Sequence, residues 1–324
     1  MNREYCACIR TLGTAGDKYQ TLLDSLKCQT LQPRKILVYI PYGYDLPKET
    51  IGIEKYVRCE RGMVHQRSLP FDEVDTPWIL FLDDDVYLEK DSLERLFAGL
   101  EAENGDAISA NVYRVQESGW RGKLRAAMDF TFPRRDDGWA IKLWRNGSHT
   151  YNNKPSKSVL PSQSAAGPTL LIRKDVFRAV HFEDEQWMDS FCYPIGEDRA
   201  LAYKVYLYGY RLLVHYDAGC VHLDAKSGRV TNLSERYLLM QTVWFVLWYR
   251  MFYNLKYASW KSKLLAVMAY AIREMWTFIL GAVPLSIKRS NFDYIKFYFI
   301  KYKRGYDYIF GEAFSSLLRY DEYI

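Results

Sequence analysis

The chain has 324 residues, of which 49% are hydrophobic and 16% aromatic. This length and composition suffice for one large core or two unequal domains, and they exclude a disordered or fibrous protein. The net charge of +5 is unevenly spread, because residues 250–304 contain eleven Lys or Arg and only two acidic residues. So basic a segment indicates a surface for an anionic partner.

The N-terminus "MNREYCACIR" lacks the apolar segment of a secretory signal. The six cysteines form no CxxC pair, so we expect no disulfide framework and a reducing compartment. Both observations favour a cytoplasmic location.

Strand and helix patterns alternate over the first third of the chain. Predicted strands span residues 5–12, 35–40, 56–60, 78–82 and 106–115, with helices after the first and the fourth. A further short helix is predicted near Pro70, which limits it to about one turn on each side. This alternation is typical of an α/β fold with a mostly parallel sheet flanked by helices.

Residues 116–168 break this pattern, since they are rich in Gly, Ser, Asn, Pro, Arg and Trp. We expect a long loop region there, which is either functional or disordered. A strand is predicted over residues 169–177. A helix then begins near Glu197, and a last strand leads to His222.

Three aspartates, Asp83, Asp84 and Asp85, directly follow the apolar strand at residues 78–82. Ligands bind at this carboxyl edge in open α/β sheets. Asp83 and Asp85 are expected to project the same way, with Asp84 pointing elsewhere, and a hard divalent cation would relieve their repulsion. The alternative is a solvated turn or a helix-capping cluster.

A second acidic pair, Glu197 and Asp198, lies at a predicted helix start, where the helix dipole favours carboxylates. Taken alone, the pair is better explained as a simple N-terminal charge. His222 ends the last predicted strand, where it is either a metal ligand or an ordinary edge histidine.

Taken together, these features resemble the family 2 glycosyltransferases, which have the GT-A fold, are usually inverting, use nucleotide-sugar donors and carry DxD and ED motifs. "FLDDDVYLEKDSLERL" matches the DxD strand with its helix, and "GEDRALAYKVYLYGYRL" matches the ED motif. "RGMVHQRSLPFDEVDTPWILFLDDD" resembles the approach to DxD, and "CVHLD" resembles the strand whose histidine can complete a metal site. The resemblance covers roughly residues 5–230.

The resemblance implies roles for these residues. Asp85, Asp83 and His222 would hold Mn²⁺ or Mg²⁺, and Asp198 would be the general base. Glu197 would raise the pKa of that base or bind acceptor hydroxyls. The donor would be bound by Thr11, Arg67, Asp83 and Asp84, although a structural salt bridge is an equal alternative for Arg67.

Two regions leave the substrates open. The family's acidic base-reading turn is replaced by "YIPYGYDLP", so the nucleotide is not identified. Within the loop region, Trp120, Trp139, Trp144 and Gly167 are predicted on the acceptor side, because aromatic faces suit sugar rings. The tryptophans equally suit packing against the tail helices.

Beyond residue 232 the chain becomes aromatic, basic and helical in pattern. Its longest uncharged runs, residues 237–249 and 275–287, are 13 residues each, whereas a spanning helix needs about 20. We expect interfacial helices on an anionic membrane. The alternative is packing on the catalytic domain with a solvated lysine face. No motif indicates nucleic-acid binding.

The predicted protein is thus a metal-dependent inverting glycosyltransferase with a GT-A domain at residues 1–232 and a helical, membrane-associated region at 233–324. Its partners would be a nucleotide-sugar donor, a glycan or lipid-linked glycan acceptor, and the inner face of a membrane. One alternative is a sugar nucleotidyltransferase, although Gly13 and Gly16 make a poor phosphate loop. Another is a non-catalytic, membrane-peripheral glycan-binding protein.

Overall fold

An eight-stranded sheet forms the centre of the protein. The computed structural model describes residues 1–112, 138–191, 195–223, 233–255 and 259–311. The strands are β1 (Tyr5–Arg10), β2 (Lys35–Pro41), β3 (Glu54–Cys59), β4 (Trp78–Asp83), β5 (Val86–Leu88), β6 (Ala107–Ala110), β7 (Ile141–Leu143), β8 (His149–Tyr151), β9 (Val159–Pro161), β10 (Thr169–Arg173), β11 (Leu212–His215) and β12 (Cys220–His222). The main sheet has the order β3-β2-β1-β4-β10-β6-β11-β9. Within it only β10 and β9 pair antiparallel to their neighbours.

Seven helices flank or extend this sheet in the described residues. They are α1 (Asp17–Lys27), α2 (Ser92–Glu103), α3 (Lys174–Ala179), α4 (Glu197–Leu207), α5 (Leu233–Trp248), α6 (Trp260–Arg289) and α7 (Asp293–Ile309). A π-helical turn, Tyr249–Leu255, continues α5, and another, Phe278–Ala282, lies within α6.

Both faces of the sheet are covered, as its continuous apolar strands require. In β1, Cys6 and Cys8 join the core on one face, whereas Ala7 and Ile9 join the core on the other. This alternation follows from the two-residue period of a strand. β1 and β4 are parallel neighbours, and Arg10 pairs in register with Asp83. The last residues of the two strands therefore lie side by side at the carboxyl edge.

The predicted fold class is confirmed, and several local predictions are corrected. The loop predicted over residues 116–168 contains β7, β8 and β9, because β9 gains backbone pairing with β11 and buries Leu160. The helix predicted near Pro70 is only the 3₁₀ turn His65–Arg67. The strand predicted to reach residue 177 ends at Arg173, where α3 takes over.

The C-terminal helices share a core with the sheet. Val243 and Phe245 of α5 belong to the same buried cluster as Ala200 and Leu201 of α4. The division between residues 232 and 233 therefore stays a prediction. Of the described helices, only α6, with 30 residues, is long and apolar enough to cross a membrane by length and composition.

Candidate active site

Two arginines join the two acidic motifs at the carboxyl edge of the sheet. Arg10 Nε and Arg67 Nη2 lie 2.7 and 3.0 Å from Asp83 Oδ1. The same guanidinium groups lie 2.7 and 3.1 Å from Glu197 Oε1. Two positive and two negative side chains thus compensate one another in a largely buried cluster. This arginine cluster fixes the end of β4 against the start of α4.

The cluster keeps Asp83 ionised. Burial alone would raise the pKa of Asp83, but the charges of Arg10 and Arg67 outweigh it and hold the pKa at about 2. Both arginines bind the same oxygen, Oδ1. The second carboxylate oxygen has no hydrogen-bond partner within the described part of the chain, so it is available to a ligand.

The middle aspartate has a different partner. Thr11 Oγ1 donates to Asp84 Oδ2 at 2.6 Å and accepts from the Gly13 backbone N–H at 2.9 Å. Burial raises the pKa of Asp84 to about 6. Thr11 and Asp84, both predicted to bind the donor, therefore lie together at the ends of β1 and β4.

Asp85 faces the predicted histidine. His222 Nε2 lies 3.2 Å from Asp85 Oδ1, because β12 pairs antiparallel with β5 and places His222 opposite Val86. A carboxylate beside an imidazole suits a divalent cation such as Mn²⁺. Within the described residues, no three His, Cys, Asp or Glu side chains are grouped so that they could hold a metal ion. These two residues fit a cation that completes its coordination with water and phosphate oxygens.

Asp198 approaches the cluster through Gly167. The Gly167 N–H donates to Asp198 Oδ2 at 3.1 Å, and the Gly167 carbonyl accepts from Arg67 Nη2 at 2.9 Å. A Cβ at position 167 would lie only 3.0 Å from Asp198 Cβ, so a larger residue there would push the Asp198 side chain away by a few tenths of an ångström. Burial, and then the charge of Glu197, raise the pKa of Asp198 to about 6. Such a carboxylate is ionised at neutral pH and remains a useful base.

A polar hairpin, β7–β8, lies beside this end of α4. Arg199, the neighbour of Asp198, donates to the Gly147 carbonyl at 3.2 Å and stacks 4.4 Å from the Trp244 ring centroid. His149 Nδ1 lies 2.5 Å from the same guanidinium. The turn of the hairpin is thereby fixed against the helix that carries the candidate base.

The described acceptor-side residues each have a different partner. Trp139 packs edge-on against Tyr206 of α4, with ring centroids 5.9 Å apart. Trp144 Nε1 donates to Thr150 within the hairpin at 3.4 Å. Gly167 contacts the candidate base, and Trp120 lies outside the described residues. The roles of these four residues in acceptor binding stay predictions.

The sequence did not single out Arg10 or Arg199. Arg10 ends β1 in the position that parallel pairing sets beside Asp83, so strand alignment was a usable signal. Arg199 directly follows the ED motif, but its contacts depend on a hairpin that was predicted as a loop.

Known proteins resemble this chain both in sequence, over part of its length, and in fold. The model described as "Glycosyl transferase family 2" matches residues 49–178. Among solved structures, S. aureus TarS 1-349 in complex with UDP-GlcNAc is 13% identical and has a TM-score of 0.54, covering 97% of this chain and 84% of that chain. The same protein in complex with UDP, also 13% identical, has a TM-score of 0.48 and covers 86% and 73%. Among curated proteins, none matches the chain in sequence. The chain therefore has a GT-A-like fold and carries a region that matches glycosyl transferase family 2.

Proposed function

We propose that the protein is a metal-dependent, inverting glycosyltransferase, which moves a sugar from a nucleotide-sugar donor to a glycan or lipid-linked glycan. The observation that carries this proposal is the arginine cluster, which holds the DxD strand and the ED helix together at one sheet edge. Ligands bind at this edge in open α/β sheets. The family match over residues 49–178 supports the reaction class.

The donor side is assigned to the aspartates and His222. Asp85 and His222 would hold Mn²⁺ or Mg²⁺, which when bound neutralises the charge of the leaving diphosphate. Asp83 Oδ2 accepts no hydrogen bond within the described part of the chain. This oxygen would contact the donor ribose or support the metal site. Arg67 is 2% exposed and paired with two carboxylates, so we assign it to holding the site together.

The acceptor side is assigned to Asp198. Direct displacement at an anomeric carbon requires a base for the acceptor hydroxyl, and the raised pKa of Asp198 suits that step. Backbone N–H groups of Gly167 and Arg199 orient its two oxygens. Glu197 has one oxygen bound by both arginines, and its charge raises the pKa of its neighbour. This favours the pKa role of Glu197 over contact with acceptor hydroxyls.

The test is a thermal-shift screen of nucleoside diphosphates and their sugars, each with Mn²⁺ and with EDTA. The similar S. aureus structure contains UDP-GlcNAc, so the UDP series is tested first. A ligand that binds only the folded state raises the melting temperature. We expect a metal-dependent shift that Asp85→Ala removes. The control Asp91→Ala should retain it, because Asp91 lies just before α2 and pairs with Arg95.

The products distinguish the alternatives. Release of free nucleoside diphosphate supports the transferase, whereas pyrophosphate indicates a nucleotidyltransferase. Stabilisation by nucleotide sugars without turnover of any of them would contradict the enzyme and favour a binding protein.

A further inference from the structure

The outward face of α6 is uniformly apolar. Every exposed residue between Leu264 and Ile287 is apolar. Large apolar side chains that are at least 42% exposed in this span are Leu264, Leu265, Val267, Met268, Met275, Ile279, Leu280 and Ile287. Single exposed apolar residues are normal, but a contiguous face of this length marks an interaction surface. The outer side of α6 thus carries no lysine between Leu264 and Ile287.

The charges that interrupt α6 in the sequence are turned toward the protein. Glu274 is buried, pairs with Lys301 of α7 and accepts from Tyr302 Oη at 2.8 Å. Arg273 Nη1 donates to the Asn146 carbonyl at 3.2 Å. Because these groups are satisfied on the inner side, the outer side of α6 remains free of charge.

Basic residues flank the apolar face at both ends. Lys261 is exposed before it, and Lys288 and Arg289 are exposed after it. The face between them is about 35 Å long at 1.5 Å per residue. Long basic side chains at such positions reach anionic headgroups while their stems stay in the apolar layer. A second copy would instead bring like charges together, since residues 250–304 carry a net charge of +9.

The contact of Arg273 determines how α6 lies relative to a bilayer. Arg273 is near the middle of the helix and binds Asn146, which is part of the turn between β7 and β8. If α6 crossed a membrane, this polar turn would lie near the centre of the hydrocarbon layer, where unsatisfied backbone groups and charges are costly. The contact between Arg273 and Asn146 therefore favours a bilayer that runs parallel to the axis of α6.

We propose that α6 lies in the plane of an anionic lipid bilayer, with its outer face among the acyl chains and its terminal basic residues at the headgroups. This inference does not depend on the glycosyltransferase assignment. It does have a consequence for the site, because the Asn146–Gly147 turn contacts both Arg273 of α6 and Arg199 beside Asp198. The lipid surface would lie one hairpin turn away from the candidate base.

The test is flotation of the full chain with vesicles of phosphatidylcholine, alone or with about one third phosphatidylglycerol. We expect flotation with the anionic vesicles that weakens as salt is raised. The double variant Leu265→Asp/Met268→Asp should lower the partition coefficient about a hundredfold, at roughly tenfold per apolar side chain lost from the lipid. Ile53→Asp, which changes an exposed apolar residue just before β3, is the control.

Four results would overturn the proposal. The first is no flotation with anionic vesicles, and the second is a double variant that floats like the control. The third is a vesicle-independent dimer abolished by the same two substitutions, since α6 would then be an interface between copies. The fourth is retention on vesicles after a high-salt, alkaline wash, which would indicate a spanning helix. Circular dichroism of the double variant should match the wild type, because both positions are exposed.

Discussion

Replacing Glu185 with Gln should destabilise the protein by about 3 kcal/mol at pH 7. Glu185 lies in the 3₁₀ segment Phe182–Phe191 and is 1% exposed. Its carboxylate lies 3.1 Å from Lys204 of α4 and 3.0 Å from Arg250 of the turn after α5. One carboxylate thus joins the ED helix to the C-terminal helices, and its loss would leave two buried cations without this partner.

The magnitude follows from the pKa. Burial alone would raise the pKa of Glu185, but Arg250 and Lys204 lower it from 4.5 to about 2. At about 1.4 kcal/mol per pH unit, this corresponds to roughly 3 kcal/mol. Breaking a buried ion pair costs about 3–5 kcal/mol, which agrees. Because the folded pKa lies below the unfolded one, the stabilisation is fully present above about pH 4.5 and is lost as the pH falls toward 2.

Urea unfolding followed by tryptophan fluorescence measures this difference, since Trp187 Nε1 donates to Glu185 at 2.6 Å. The matched control is Glu183→Gln, in the same segment, where an exposed carboxylate pairs with His181 at 3.1 Å. The control should change the free energy of unfolding by about 0.5 kcal/mol or less. The reasoning is refuted if the two variants differ by under 1 kcal/mol at pH 7, or if their difference does not shrink at pH 3.

Three further predictions concern the candidate base. Asp198→Asn should lower kcat by about 10²–10⁴-fold while calorimetry shows donor affinity within about threefold of wild type, and loss of donor binding would contradict the assignment. Because burial and Glu197 raise the pKa of Asp198 to about 6 and a base acts when ionised, kcat/KM should rise with pH through about 6; a flat profile from pH 5 to 7 would refute this. Gly167→Ala should lower kcat about tenfold or more without changing KM for the donor, because its Cβ would displace the Asp198 side chain. Normal kcat in that variant would show that the close contact is dispensable.

The central strands were predictable because each is a continuous apolar run. β1, β2 and β4 lie within about two residues of their expected bounds, since buried parallel strands need no alternation. β7, β8 and β9 were missed, because each has three residues in a polar stretch. β9 pairs with β11, which is distant in sequence, and local propensity does not record such pairing. β7 and β8 pair with each other in a short hairpin.

The site was predictable as a set of motifs but not as a network. The sequence placed Asp83 and Asp85 at the carboxyl edge of the sheet and Glu197 at a helix start. The partners of these residues depend on strand register and on the path of the chain after β3. Arg67 illustrates this limit. The sequence allowed either donor binding or a structural salt bridge, and only the groups that contact the guanidinium distinguish the two. The structure shows it paired with Asp83 and Glu197.

The apolar outer face of α6 depends on which side of the helix its charged residues occupy, more than on its composition. Arg273 and Glu274 divide its apolar run in the sequence, which argued against a membrane-spanning helix. In the structure both charges face the protein, and the outer side is continuous. A helical residue's effect on a surface is set by the face on which it lies.

The C-terminal helices pack against α4, the helix that carries the candidate base. A chain ending at residue 232 would lose Arg250, the partner of Glu185, and would uncover the α4 core around Tyr203, which packs 5.3 Å from the Phe252 ring. α4 also carries Asp198, so the order of the candidate base depends on helices that follow it in sequence. A lipid surface bound by α6 would act on the same helix through the Asn146–Gly147 turn. Membrane attachment and catalysis would therefore share one set of contacts, and truncation should impair both together.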